Sequence, residues 1–213
     1  MTRNISFVEG EFYHIYNRGV DKRIVFSDAY DIKRFLQSME EFNTLRPIGS
    51  IYENSFVQKS KLSSSTAKLV NVVCFCLNPN HFHLLLEQVA KKGIEKFMHR
   101  LSGGFTQHFN FRNQRSGSLF QGRYKAKHID SNEYLLHVSA YINLNNRVHK
   151  LSSSTAKSSW NEYVEKEKGL CAKNIVLDQF KNPKDYKQFA LDSLIYMQER
   201  KQQDSTFAEL LLD

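Results

Sequence analysis

Asn78-Pro79-Asn80-His81-Phe82-His83-Leu84-Leu85-Leu86-Glu87 is the stretch from which the fold can be read. An apolar run, residues 70–77, leads into it, and a second apolar run leaves it. Asn-Pro-Asn between them is turn chemistry, because proline presets φ and asparagine tolerates tight corners. The spacing therefore predicts a β-hairpin whose second strand opens with two histidines. Strand side chains alternate faces, so His81 and His83 point one way while Phe82 and Leu84 point the other. Two imidazoles side by side on a strand make half of a divalent-metal site. Eight histidines in 213 residues give a His-x-His by chance about 0.3 times per chain. Spacing alone thus leaves a second reading open, in which both are strand-end histidines hydrogen-bonded to loop backbone.

Composition narrows the partners. The formal net charge is +8, and the first 159 residues carry 22 Lys/Arg against 12 Asp/Glu, whereas the remainder carries 8 against 10. Residues 96–129 hold seven Lys/Arg and no acidic residue. A basic surface without carboxylates is the electrostatic footprint of a polyanion such as nucleic acid. No run of 18 apolar residues is present and the first residues lack the apolar core of a signal peptide, so no membrane partner is expected. Three cysteines, two of them in Cys74-Phe75-Cys76, supply neither a disulfide framework nor a four-ligand zinc set, and they read as reduced thiols of a cytoplasmic protein.

Outward from the hairpin, residues 11–18 are aromatic and β-branched and end at Gly19, a first strand with Arg18 placed to meet a phosphate. His14 on that strand reads as a packed or hydrogen-bonded residue rather than a ligand. Residues 27–45 show an apolar stripe at Ile32, Phe35, Leu36, Met39 and Phe42, a helix capped by Ser27 or Asp28. A second helix over residues 93–113 carries Lys96 and Arg100. It also contains Gly103-Gly104, which costs about 1 kcal/mol per glycine unless something approaches closely. Residues 123–129 read as a strand with Arg123, Lys125 and Lys127 alternating onto one face, a row suited to a phosphate backbone. Asp130 and Glu133 form a capping box for a third helix reaching about residue 145, on which Tyr141 and Asn145 lie one turn apart. On spacing alone Tyr141 would be a core residue.

The octapeptide Lys-Leu-Ser-Ser-Ser-Thr-Ala-Lys occurs twice, at residues 61–68 and 150–157. Both copies read as exposed loops, consistent with duplication of a short coding segment. After Trp160 the pattern is helical, broken at Asn182-Pro183. The order strand, helix, two strands, helix, strand, helix predicts an α+β chain of ferredoxin-like, split βαβ type. A four-stranded antiparallel sheet carries helices on one face, and a small C-terminal helical appendage follows. Residues 1–149 are the expected domain and 150–213 a Ser-rich linker with a helical extension.

Four motifs now stand in order: Tyr13-His-Ile-Tyr-Asn-Arg-Gly19, Asn78-Pro-Asn-His-Phe-His-Leu-Leu-Leu86, Leu119-Phe-Gln-Gly-Arg-Tyr-Lys125 and Tyr141-Ile-Asn-Leu-Asn145. Together, over about residues 11–148, they resemble the REP-associated tyrosine transposases, a branch of the single-tyrosine HUH transposases. The resemblance implies that His81 and His83 are metal ligands, that Asn145 is the third, and that Tyr141 is the nucleophile. Asn146 departs from the proline common there. It further implies Mg²⁺ or Mn²⁺ as cofactor and cleavage and transfer of single-stranded or hairpin DNA through a 5′-phosphotyrosine. Arg18, Lys96, Arg100, Arg123, Lys125 and Lys127 are the expected DNA contacts. A homodimer is allowed, and a bacterial cytoplasmic, nucleoid-associated location is expected. The alternative is a non-catalytic nucleic-acid-binding module on the same fold.

Overall fold

The turn at Pro79-Asn80 joins β2 (Val70–Asn78) to β3 (His81–Gln88), with Asn78 paired to His81 and Cys76 to His83. The hairpin forms where the sequence places it. The computed structural model describes residues 5–46, 48–51, 67–151, 156–165 and 167–203. Strand β1 (Phe12–Arg18) adds to β3, pairing Tyr16 with His83, and β4 (Lys125–Ile129) adds to β1, pairing Lys125 with Tyr16 and Lys127 with His14. A fifth strand, β5 (Lys157–Ser158), closes the other edge against Cys76 and Leu77. The order is β4-β1-β3-β2-β5, antiparallel throughout.

Five strands replace the expected four. The extra one is two residues long and starts at the last residue of the second octapeptide copy, where serine-rich sequence gives no strand signal. The end of this copy is therefore sheet edge rather than loop: Ala156 is buried, and Lys157, its side chain exposed, pairs with Leu77. Residues 61–66 and 152–155 of the two copies lie outside the described residues.

Helices cover both faces of the sheet, which corrects the expectation of one. On the first face α1 (Ala29–Glu41) and α2 (Gly93–Arg112) bury Phe35, Met39, Phe97, Leu101 and Phe105 against Ile15, Phe75, Phe82, Leu84 and Leu86. Gly104 lets these helices meet, since a Cβ there would stand 2.7 Å from the Phe42 ring; at Gly103 a Cβ would meet nothing. Arg112 at the end of α2 ties back to α1 through Asp28 and Asp31, both at 2.6 Å.

On the second face lie α3 (Asn132–Val148) and the C-terminal elements α4 (Trp160–Val164), α5 (Asn174–Leu177) and α6 (Pro183–Gln203). Cys74, Cys76, Leu85, Ile142, Tyr163, Val176 and Tyr186 form the core there. Tyr163 Oη donates to Val73 O at 2.8 Å and Asn143 donates to Tyr186 Oη at 2.8 Å. The C-terminal segment is thus the lid of a core rather than a peripheral appendage. The physical cause is legible in β2: residues 72–77 are apolar on both sides of the strand and buried on both. A strand of that kind needs cover on two faces. A bulge between Val72 and Cys74 shifts the pairing, and Val73 and Cys74 both join the second core.

Helix α3 begins one residue later than the capping box implies. Ser131, in extended conformation, accepts from Tyr134 N at 3.2 Å, so Ser131 and not Asp130 is the cap, and Glu133 is exposed.

Candidate metal and nucleophile site

Because β-strand side chains alternate, the second face of the sheet gathers His14 and Tyr16 from β1, His81 and His83 from β3, Cys76 and Asn78 from β2, and Lys125 and Lys127 from β4. Helix α3 crosses this face and brings Tyr141 and Asn145 onto it. The Tyr141 ring centroid lies 5.7 Å from that of His83 and 6.3 Å from that of His14, and Asn145 Oδ1 is 2.5 Å from Asn78 Nδ2. The residues carrying the metal and nucleophile expectations are therefore neighbours in space although 58 or more positions separate the histidines from the helix residues.

The two histidines are held by their Nδ1 atoms. His81 Nδ1 is 2.6 Å from Asn80 Oδ1, an oxygen that can only accept. His81 thus carries its proton on Nδ1, leaving a lone pair on Nε2. His83 Nδ1 is 2.9 Å from His14 Nε2, and His83 Nε2 is buried with no hydrogen-bond partner. Burial, joined by the nearby charge of Lys127, pushes His14 down to about 3, and burial holds His83 well below the usual imidazole range. Both rings are neutral at ordinary pH. His14 is a hydrogen-bonded strand residue, as expected of it, and its partner is a histidine of the His-x-His pair.

A divalent ion fits these residues. An orphaned buried imidazole nitrogen and a second imidazole lone pair lie beside an amide oxygen, and each imidazole is oriented through its other nitrogen. Among the described residues no three His, Cys, Asp or Glu side chains are grouped to hold a metal, so an amide would be the third ligand. Such a neutral set leaves the ion's charge uncompensated, which favours anionic ligands such as phosphate oxygens.

Tyr141 is largely enclosed. Burial raises its phenol above the usual value, with the Asn145 amide acting in the opposite direction. Tyr134, seven residues before Tyr141 on α3, is covered by the Lys127 ammonium 4.9 Å from its ring centroid.

A pocket of about 190 Å³ opens over His81 and His83, lined also by Tyr16, Arg18, Gln121 and Lys125. Arg18 and Lys125 thus stand at the site, with Arg18 Nε bonded to Gln121 Oε1. Arg123 does not share their face. The strand begins at Lys125, two residues later than the sequence pattern implies, and Gly122 at φ +66° turns the chain just before it. Arg123 instead lines a groove of about 990 Å³ beside α2, with Tyr124, His99 and Ser102, which meets the site pocket at Asn17. Arg100 is committed elsewhere: its guanidinium donates to the carbonyls of Phe42 at 3.4 Å and Thr44 at 2.6 Å, closing the end of α1. Lys96 is exposed and donates to Lys91 O at 3.3 Å.

Two residues of the site carry signals that sequence reading passed over. His149, the C-cap of α3, stacks edge-on to His81 at 5.3 Å and continues the i, i+4 series Tyr141, Asn145, His149. Asn78 looks like a turn residue but its amide is fully buried and faces His81 Nε2 at 2.8 Å. No helix among the described residues is long and apolar enough to cross a membrane.

Residues 56–145 match the family described as "Transposase IS200 like". No curated protein matches the chain in sequence. Among solved structures, "Structure of the REP associates tyrosine transposase bound to a REP hairpin" is similar at TM-score 0.55 and 10% identity, covering 78% of this chain and 86% of that one. At that identity the likeness is one of fold. A putative transposase from Deinococcus radiodurans R1 is also similar, at TM-score 0.38 and 15% identity over 67% of this chain and 95% of that one.

Proposed function

We propose that this chain, which belongs to the IS200-like transposase family through residues 56–145, is a metal-dependent single-strand DNA endonuclease and strand transferase. The reading is carried by one observation: the Tyr141 phenol stands beside His83, whose Nε2 is buried and unpartnered, and one turn from Asn145. The similar structure is described as bound to a REP hairpin, and by that likeness we take hairpin or palindromic-repeat DNA as the substrate class.

In this mechanism His81 and His83, through Nε2, and Asn145, through Oδ1, would hold Mg²⁺ or Mn²⁺. The ion, when bound, polarises the nonbridging oxygens of the scissile phosphate. His14 fixes the ring of His83, and Asn80 fixes that of His81. Lys125 and Arg18 at the pocket meet the flanking phosphates, and Arg123 in the adjoining groove meets the strand further along. Tyr141 Oη passes its proton to water in the open pocket and attacks phosphorus. The new bond is a 5′-phosphotyrosine, and the bond that breaks leaves a free 3′-hydroxyl that takes a proton. One phosphoester replaces another, so the step reverses and strands exchange without ATP. A phenol with a reference value near 10 costs roughly 4 kcal/mol to ionise at pH 7, and burial of Tyr141 adds to that cost. Arg18 and Lys125 at the pocket would offset part of it, as would a bound ion.

The test is incubation with single-stranded hairpin DNA and Mn²⁺, followed by a denaturing gel. The expected result is a covalent protein–DNA band that is absent in Tyr141→Phe and in EDTA. DNA binding without such a band would favour the non-catalytic module.

A further inference from the structure

Asn78 holds a position that a turn residue does not need. It ends β2, its side chain is fully buried, and its Nδ2 lies 2.8 Å from His81 Nε2 and 2.5 Å from Asn145 Oδ1. Each of those atoms can only accept. His81 has its proton on Nδ1, committed to Asn80, and Asn145 Oδ1 is a carbonyl oxygen. Two lone-pair atoms from different elements therefore converge on a single positive-ended group.

The spacing agrees with a coordination shell. Ligands at right angles on an octahedral ion with bonds of about 2.1 Å stand about 3.0 Å apart. The separations of 2.8 Å and 2.5 Å from the Asn78 amide nitrogen fall within about 0.2 Å and 0.5 Å of that edge, so loading the site would move Asn145 Oδ1 slightly away from Asn78. An amide has two ends of nearly equal size, so a half-turn about χ2 puts Oδ1 where Nδ2 now lies without displacing neighbours. Little opposes that exchange, because among the described residues Oδ1 now meets only the Cys76 thiol, at 3.5 Å. A thiol is a weak donor and, on the other side of the exchange, a weak acceptor.

We propose that Asn78 is a further ligand of the divalent ion. In the metal-free protein its Nδ2 bridges His81 and Asn145, and in the loaded protein its Oδ1 joins them on the ion. This rests on the metal reading of the site. It changes the donor set from two nitrogens and one oxygen to two of each. The added oxygen favours Mg²⁺ and Mn²⁺ over softer ions and leaves two octahedral positions for phosphate oxygen and water.

The test is Mn²⁺ titration of the full chain without DNA, followed by the electron paramagnetic resonance signal of free Mn²⁺. Wild type, Asn78→Asp and Asn78→Ala are compared, and circular dichroism reports folding. A carboxylate can ligate but cannot donate to His81 or Asn145. As a ligand position, Asn78→Asp binds Mn²⁺ tenfold or more tightly than wild type, while Asn78→Ala binds it at least fivefold more weakly. If Asn78 only orients its neighbours by donating to them, Asn78→Asp weakens binding as Asn78→Ala does, and the proposal is overturned. Equal affinity in all three chains overturns it too. Should Asn78→Asp fold only with Mn²⁺ present, its refolding midpoint gives the affinity, and a chain still unfolded at saturating Mn²⁺ counts against the proposal. A wild-type chain that binds no Mn²⁺ would instead defeat the metal reading itself, and this proposal with it.

Discussion

His14→Phe is the substitution that most cleanly separates orientation of the site from its chemistry. His14 and His83 are 4% and 1% exposed, and their rings face each other through one 2.9 Å hydrogen bond. Phenylalanine keeps a flat ring of similar size but leaves His83 Nδ1 without a partner. A buried polar group so orphaned costs about 1–3 kcal/mol, which urea denaturation without metal should show as a fall in stability of that size. A freed imidazole also ligates less well. Losing such an orienting partner costs about 10–100-fold in metal affinity. At Mn²⁺ set to 100 times the wild-type Kd, binding stabilises the wild type by about 2.7 kcal/mol, and a tenfold weaker variant gains only about 1.4 kcal/mol. The assay is therefore a pair of urea curves, with and without Mn²⁺, for each chain. His14→Gln, whose amide oxygen can accept from His83 Nδ1–H, should recover at least half of the lost metal stabilisation. If His14→Phe keeps both the metal-free stability and the Mn²⁺ increment of wild type, the orienting role of His14 is wrong.

Three further outcomes follow from the packing and the surface. Gly104→Ala puts a methyl group 2.7 Å from the Phe42 ring and should cost about 1–3 kcal/mol by chemical denaturation, whereas Gly103→Ala, with open space, should be neutral or stabilising. Changing Arg18 and Lys125 together to alanine should reduce the slope of log K against log salt for single-stranded DNA by about 1.4, at roughly 0.7 per phosphate; Lys96→Ala, away from the pocket, should leave it unchanged. Hydrogen bonds from Arg112, then from the Asp31 backbone, hold Asp28 at about 2. Its stabilising contribution is present above the ordinary value of 3.8 and is lost as pH falls toward 2. Carboxyl NMR should find that low midpoint and see it rise in Arg112→Ala.

Much of this architecture is written in local pattern. The His-x-His pair was readable because strand period fixes which side chains share a face, and Tyr141 with Asn145 because helix period does the same. What stayed hidden depends on contacts distant in sequence. The bond from His14 to His83 spans 69 positions, and nothing in either strand alone announces it. The second covered face was signalled by the two-sided apolar β2, but that signal does not say which segment provides the cover; Trp160, Tyr163 and Tyr186 do. Arg123 was misplaced by a boundary error of two residues, because residues ahead of the first paired one, Lys125, are free to turn away. Arg100 was read as a surface charge, although its position on α2 faces the open carbonyls at the end of α1. The two octapeptide copies looked alike, yet in the second Lys157 pairs with Leu77 at the sheet edge and Ala156 is buried beside it.

The central claim is that Tyr141 Oη becomes esterified to DNA. The most direct measurement is mass spectrometry of the protein after reaction with a single-stranded hairpin oligonucleotide and Mn²⁺, nuclease trimming and proteolysis. The account predicts that the peptide spanning residues 128–147 gains the mass of a 5′-phosphodeoxynucleotide, that its fragment ions place this mass on Tyr141 and not on Tyr134, and that the mass is absent in EDTA. Cleaved DNA with no nucleotide on any tyrosine peptide would contradict it and assign the attack to water.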